Sequence, residues 1–257
     1  VGNGSQGMYL KDGLTVENSG TIQSTGASSL GIYADNIISP ITNTSTGVID
    51  LSGDKSIGIY TTGASTEIIN NDWIIKIGNS SDVNNPSIGI YSLGTGDVIT
   101  NSAASKIESG TNSIGVYSGG TLVTQDGELK IGDSGTGIYK KGGTLNVGAT
   151  ATVNLGQNSA VGFYGTDGSA INIANVAVIN AGLGSIVSIM ESGGATLNND
   201  AAITLNGLGT FVYSTSGGNI TNNGIINMNG DDNLGFYMKN GGNLINTGNI
   251  TGDTGVS

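Results

Sequence analysis

Cysteine, histidine and arginine are absent from the 257-residue chain, and proline occurs only twice. Without cysteine there are no disulfides and no thiolate metal sites. Without histidine the side chain that most often serves as general base and metal ligand is missing, and without arginine there is no bidentate clamp for carboxylate or phosphate. The eight basic residues, all lysine, stand against nineteen acidic ones, a net charge of −11. That balance argues against nucleic acid as a partner, because binding to a phosphate backbone rests on clustered cations. No apolar run is long enough to cross a membrane as a helix. Charged residues are scarce too, at 11 % of the chain, under half the usual share.

Glycine is abundant instead, at 46 residues, but without the three-residue period of collagen. Short aliphatic clumps such as Ile74-Ile75 and Ile225-Ile226 sit between Gly, Asn, Asp and Ser, the pattern of strands and turns. A five-residue word also recurs: Ser5–Tyr9, Ser29–Tyr33, Ser56–Tyr60, Ser87–Tyr91, Ser113–Tyr117, Gly135–Tyr139, Ala160–Tyr164, Gly209–Tyr213 and Asn233–Tyr237. These copies take up all nine tyrosines. A degenerate copy is expected at Ile186–Met190, with Met190 in place of the tyrosine and Ser188 in place of the glycine. Tyr9 to Tyr237 is 228 positions in nine intervals, about 25 each. A fixed period of that size means a solenoid.

Between tyrosines each period carries a turn, often a Gly-Gly pair (Gly119-Gly120, Gly142-Gly143, Gly193-Gly194), and then an alternating run such as Leu14-Thr15-Val16 or Leu145-Asn146-Val147. An asparagine corner follows (Asn18, Asn175, Asn199, Asn222, Asn246), then a further short strand such as Thr21-Ile22-Gln23. Three short strands and three corners in about 25 residues make one rung of a parallel β-helix. The chain therefore reads as all-β, a single solenoid over residues 1–257 with about ten rungs. Stacking is expected to set asparagine over asparagine and tyrosine over tyrosine. Alternation is expected to turn Ile57, Ile59, Ile88 and Ile90 inward, with Gly58 and Tyr60 outward or at the strand end. The array is already under way at Ser5 and runs on into Gly252–Ser257, so the chain reads as a fragment of a longer solenoid. Its exposed end rungs are expected to favour end-to-end self-association.

The S-x-G-(aliphatic)-Y copies, with intervening segments such as Asn222–Ile226 and Asn246–Ile250, resemble the passenger-domain repeats of Gram-negative autotransporters, and most of all those of fusobacterial outer-membrane adhesins. The resemblance covers the whole chain through its repeat texture. It implies a right-handed parallel β-helix displayed outside the cell, held at the outer membrane by a β-barrel elsewhere in the protein. It also implies adhesion without catalysis, to a protein or glycan on host or microbial surfaces. A stalk that only spaces a distal binding domain is the alternative, and a polysaccharide-cleaving β-helix enzyme a third reading.

Departures from the repeat are the candidate sites. The longest interval, 31 residues from Tyr60 to Tyr91, contains the polar stretch Asn79–Pro86, and the same rung holds the only tryptophan. Trp73 stands at a corner occupied elsewhere by Gly20, Gly127, Gly224 or Gly248. Trp73, Asp82, Asn84 and Asn85 are thus the expected ligand contacts, an aromatic platform beside amides and a carboxylate. The bland reading is that Trp73 covers a widened corner and the tyrosines stiffen the rod. Asp231-Asp232 has the carboxylates of a glycosidase but no arginine or histidine beside it, and reads as a turn. Lys140-Lys141 reads as a solvated corner. Asp- and Asn-rich turns offer oxygen ligands for calcium, but the G-G-x-G-x-D repeat is missing, so no metal and no cofactor are assigned.

Overall fold

The computed structural model describes residues 2–13, 15–37, 40–63, 66–192 and 194–252; Leu14, Gly193 and the segment 253–257 lie outside them. The first rung consists of β1 (Gln6–Lys11), β2 (Val16–Asn18) and β3 (Thr21–Ser24). Nine more rungs repeat that order, so every third strand is a neighbour and three ten-stranded parallel sheets result. The described residues contain no helix. At about 4.8 Å per step, the rod is about 45 Å long.

Register follows the repeat: Tyr60 pairs with Tyr91, and Tyr91 with Tyr117. A lone rung would leave its aliphatic face wet and its backbone groups unpaired, and stacking removes both penalties. Three columns fill the interior. Ile32, Ile59, Ile90 and Val116 come from the first sheet, Ile41, Ile69, Ile99 and Val123 from the second, and Ile49, Ile75, Ile107 and Leu129 from the third, all fully buried. Ile59 and Ile90 are therefore core residues, as alternation predicts.

Alternation fails one residue earlier. Ile57 is partly exposed, and a Cβ built on Gly58 meets Ile75 Cγ2 at 2.9 Å and the Gly89 carbonyl oxygen at 2.4 Å. The glycine, expected to point outward, faces the core. Two successive positions, Gly58 and Ile59, thus lie inside, and the first has no room for a side chain. Gly31, Gly89, Gly115 and Gly137 repeat the arrangement. In the eighth and ninth rungs Val187 and Phe211 fill this column, both fully buried; beside Val187, Ser188 stands in the aliphatic column between Phe163 and Val212. The same pairing corrects the degenerate copy. Ile189, and not Met190, lies between Tyr164 and Tyr213, and Val187, not Ser188, holds the glycine position.

At the second-to-third corner the expected amide ladder is present. Asn18 Nδ2 donates to Asn43 Oδ1 (2.9 Å), Asn43 to Asn71 (3.0 Å), Asn71 to Asn101 (3.3 Å) and Asn101 to Gln125 Oε1 (3.0 Å). Val147 and Ile173 interrupt it, and it resumes from Asn199 through Asn222 to Asn246 at 2.8 Å per step. Asn175, expected in this column, lies instead in the turn after Ile173. That corner is two residues longer, and the aliphatic Ile173 takes the inward place.

Candidate binding surface

Trp73 sits where expected. The column through its corner reads Gly47, Trp73, Ser105, Gly127 and Ala151, linked by backbone bonds such as Lys106 N to Trp73 O and Thr152 N to Gly127 O. A Cβ on Gly47 or Gly127 would strike the rung below within 2.3 Å, which explains the small residues. The indole is 36 % exposed and forms one end of a 270 Å³ hollow that passes Ala103 and Ala104 towards Lys106, Glu128 and Thr150. Lys106 bridges Glu108 (2.8 Å) and Glu128 (3.3 Å), so the hollow has a charged but compensated wall.

Asp82, Asn84 and Asn85 come together on the next corner, between the third and first sheets. Their loop is fastened to the turns on either side. Ser81 N donates to Asp54 Oδ1 (3.0 Å), Asp82 pairs with Lys55 Nζ (3.6 Å), and Asn79 Oδ1 accepts from Thr111 N (2.9 Å). Bonds from the Ser81 hydroxyl and amide hold the Asp54 carboxyl below its usual range. Asp82 Oδ1 accepts from Asn84 N at 3.0 Å, so its carboxylate is spent largely inside the loop. The side chains of Asn84 and Asn85 are exposed. Strand Ile74–Ile77 separates this loop from Trp73. The two features flank one outer face without sharing a pocket.

Seven tyrosines, from Tyr9 to Tyr164, form an unbroken column on the outer face of the first sheet, with ring centroids 4.6 to 5.2 Å apart. Ile189 breaks it before Tyr213 and Tyr237 (4.7 Å). Three of the six contacts in the column are stacked, two are tilted and one is edge-on. Burial raises the pKa of Tyr91 and Tyr139.

The first-to-second corner holds what sequence reasoning missed. Lys140, expected in solvent, is fully buried; its Nζ donates to the Gly120 carbonyl, and burial lowers its pKa to about 8. Glu67 and Asp97 are also fully buried. Asp97 accepts from Glu67 N (3.0 Å), Gly94 N (3.1 Å), Thr61 Oγ1 (3.3 Å) and the Ser92 hydroxyl. Burial, then the neighbouring Asp97, raises the Glu67 pKa to about 8. As an ionised acceptor Glu67 lacks a well-formed bond from any described donor, whereas as a neutral acid it can donate to Asp97. This pair is sealed from substrate and acts on the fold. Asp231 and Asp232 lie in an exposed turn, with φ +56° at Asp232.

Outside this corner, a notch of about 420 Å³ opens over Gly119-Gly120 and Gly142-Gly143. Leu93 and Thr95 wall one end, Lys141 and Asp167 the other, and Tyr117 borders it on the first sheet. The signal was present as corner length. From the tyrosine to the second sheet takes seven positions at Tyr91–Val98, five at Tyr117–Leu122 and Tyr139–Thr144, and six at Tyr164–Ala170. Two short corners between longer ones leave a gap two rungs wide.

No family model, no curated protein and no solved structure matches the chain.

Proposed function

We propose that the chain is part of a cell-surface adhesin, a non-catalytic passenger segment of the autotransporter type, displayed outside the cell and attaching to a protein or glycan on host or microbial surfaces. The observation that carries this reading is the contrast between a uniform rod and a few departures grouped on its flanks. Identical columns offer a partner no unique address, whereas Trp73, the loop Asn79–Pro86 and the glycine notch each do. Aromatic anchors are enriched where proteins bind. Among the described residues no helix is long and apolar enough to cross a membrane; the autotransporter reading itself assigns the outer-membrane anchor to a β-barrel elsewhere in the protein. The stalk reading has its own support in the run of seven tyrosines from Tyr9 to Tyr164, whose rings contact one another along the rod.

The test is attachment of the protein to candidate host and bacterial cells, compared with Trp73→Ala and with a variant trimmed of Asn79–Asn85, folding being checked by circular dichroism. Attachment that falls at least tenfold in either folded variant supports adhesion through this flank. No attachment by the parent protein leaves the stalk. Release of new reducing ends from pectin-like or host polysaccharides would overturn the non-catalytic reading.

A further inference from the structure

The glycine notch has the dimensions and wall chemistry of a ligand site, and its ligand class follows from them. Along the rod it spans two rungs, about 10 Å, which admits one pyranose ring but not a helix or a stacked pair of rings. Its floor is the backbone of Gly119, Gly142 and Gly143, with Gly120 buried among them and the Thr121 side chain at the margin, so a ligand can approach the main chain closely. One wall sets Leu93, 40 % exposed, beside Thr95, and Tyr117 adjoins it. The opposite wall presents a donor and an acceptor side by side, Lys141 Nζ and Asp167 Oδ2, 3.9 Å apart and both more than half exposed. This spacing suits two adjacent hydroxyls, one donating to the carboxylate and one accepting from the ammonium, while a sugar's C–H face rests on leucine. Loosely paired and open to water, the ion pair yields its partners at little cost.

The geometry points to a binding site for a single neutral hexose unit of a saccharide chain. Neutral is chosen over acidic because the protein carries a net charge of −11, and the one lysine on the rim stands beside the Asp167 carboxylate, which repels a second anion. Lys140 secures the floor from inside by holding the Gly120 carbonyl. The inference rests on the adhesive reading, to which it adds a ligand class and a place.

Titration by NMR of the whole protein with the methyl glycosides of glucose, galactose, mannose and N-acetylglucosamine, and in parallel with galacturonate and sialic acid, tests it. At least one neutral glycoside is expected to bind saturably in the millimolar range and to shift the amides of Gly119, Gly120, Gly142 and Gly143. Asp167→Ala and Leu93→Ala, both on exposed side chains, are each expected to weaken that binding about tenfold with unchanged circular dichroism. The proposal is overturned if no neutral glycoside saturates, if acidic sugars bind more tightly, or if both folded variants bind as the parent does. Cell attachment measured on the same variants separates the two readings. Attachment by a parent protein that binds no neutral glycoside keeps adhesion and removes this site, while sugar binding without attachment keeps the site and removes adhesion.

Discussion

Two corners of the rod bury polar side chains by opposite means. At the second-to-third corner the groups are neutral amides, each donating to the next, so every step repays the loss of water with a hydrogen bond and no charge is created. At the first-to-second corner the groups are ionisable: Glu67 and Asp97 lie in successive rungs, and Lys140 lies two rungs beyond Asp97. These cannot form a ladder, since two carboxylates repel and a lysine has donors only. They are held by local exceptions, four donors onto Asp97 and one carbonyl onto Lys140. A repeat can therefore propagate a polar column indefinitely when the side chain carries both donor and acceptor. It must improvise rung by rung when the side chain carries one or the other.

The largest effect is expected from making the amide corner resemble the ionisable one. Asn71→Asp keeps the bond from Asn43 but sets a carboxylate oxygen against Asn101 Oδ1, where Asn71 Nδ2 now donates at 3.3 Å. Leaving an uncompensated charge in that buried position should cost about 3 kcal/mol at pH 7, read as a lower urea midpoint, with partial recovery near pH 4 as the carboxyl protonates. Equal midpoints at pH 7 would show that the amide corner tolerates charge after all.

The next effect runs with pH. Glu67 binds its proton more tightly when folded, with a pKa of about 8 against 4.5. Its contribution is therefore complete below pH 4.5 and is lost as pH rises towards 8. Lys140 has its pKa lowered from 10.5 to about 8, so stability returns as pH rises from 8 towards 10.5. Together they place a stability minimum near pH 8. Glu67→Gln should flatten the acid limb and leave the alkaline one; a curve indistinguishable from the parent's would show that the carboxyl is already ionised or solvated in the fold.

The smallest change sharpens the comparison from the other side. Lys140→Met removes a buried charge and inserts a residue that Met190 and Met238 show to fit the same column. A gain of about 2 kcal/mol at pH 7 is expected, together with loss of the alkaline limb. A destabilised variant would mean that the bond to Gly120 outweighs the burial of the ammonium.

Period, strand count and the asparagine and tyrosine columns were legible because they depend on like residues recurring at like spacing. What escaped depended on local geometry. Strict alternation points Gly58 outward because it takes no account of two successive positions turning inward. Ile189 lost its place to Met190 because a copy without tyrosine offers no anchor; with Ile189 the neighbouring intervals become 25 and 24. Lys140 looked solvated because a lysine pair beside two glycines reads as a turn, and nothing local shows which lysine points inward. The positions of Trp73 and the long loop on adjacent corners followed from their places in the repeat. The notch is formed by residues that are missing, and a search for notable side chains passes over it.

The hydrogen bonds between rungs, such as Ile57 N to Ser29 O and Ile88 N to Ser56 O, both 2.9 Å, run along the rod and not across it. Under mechanical load this makes the point of attachment decisive. A force applied through the end of the chain falls on the outermost strand alone and unwinds it a few bonds at a time, so the rod pays out slack at low tension. A force applied through a side chain in mid-rod meets strands bonded on both edges, and all three sheets must yield together. The rod gripped on its flank holds, while the same rod peeled from an end rung unravels.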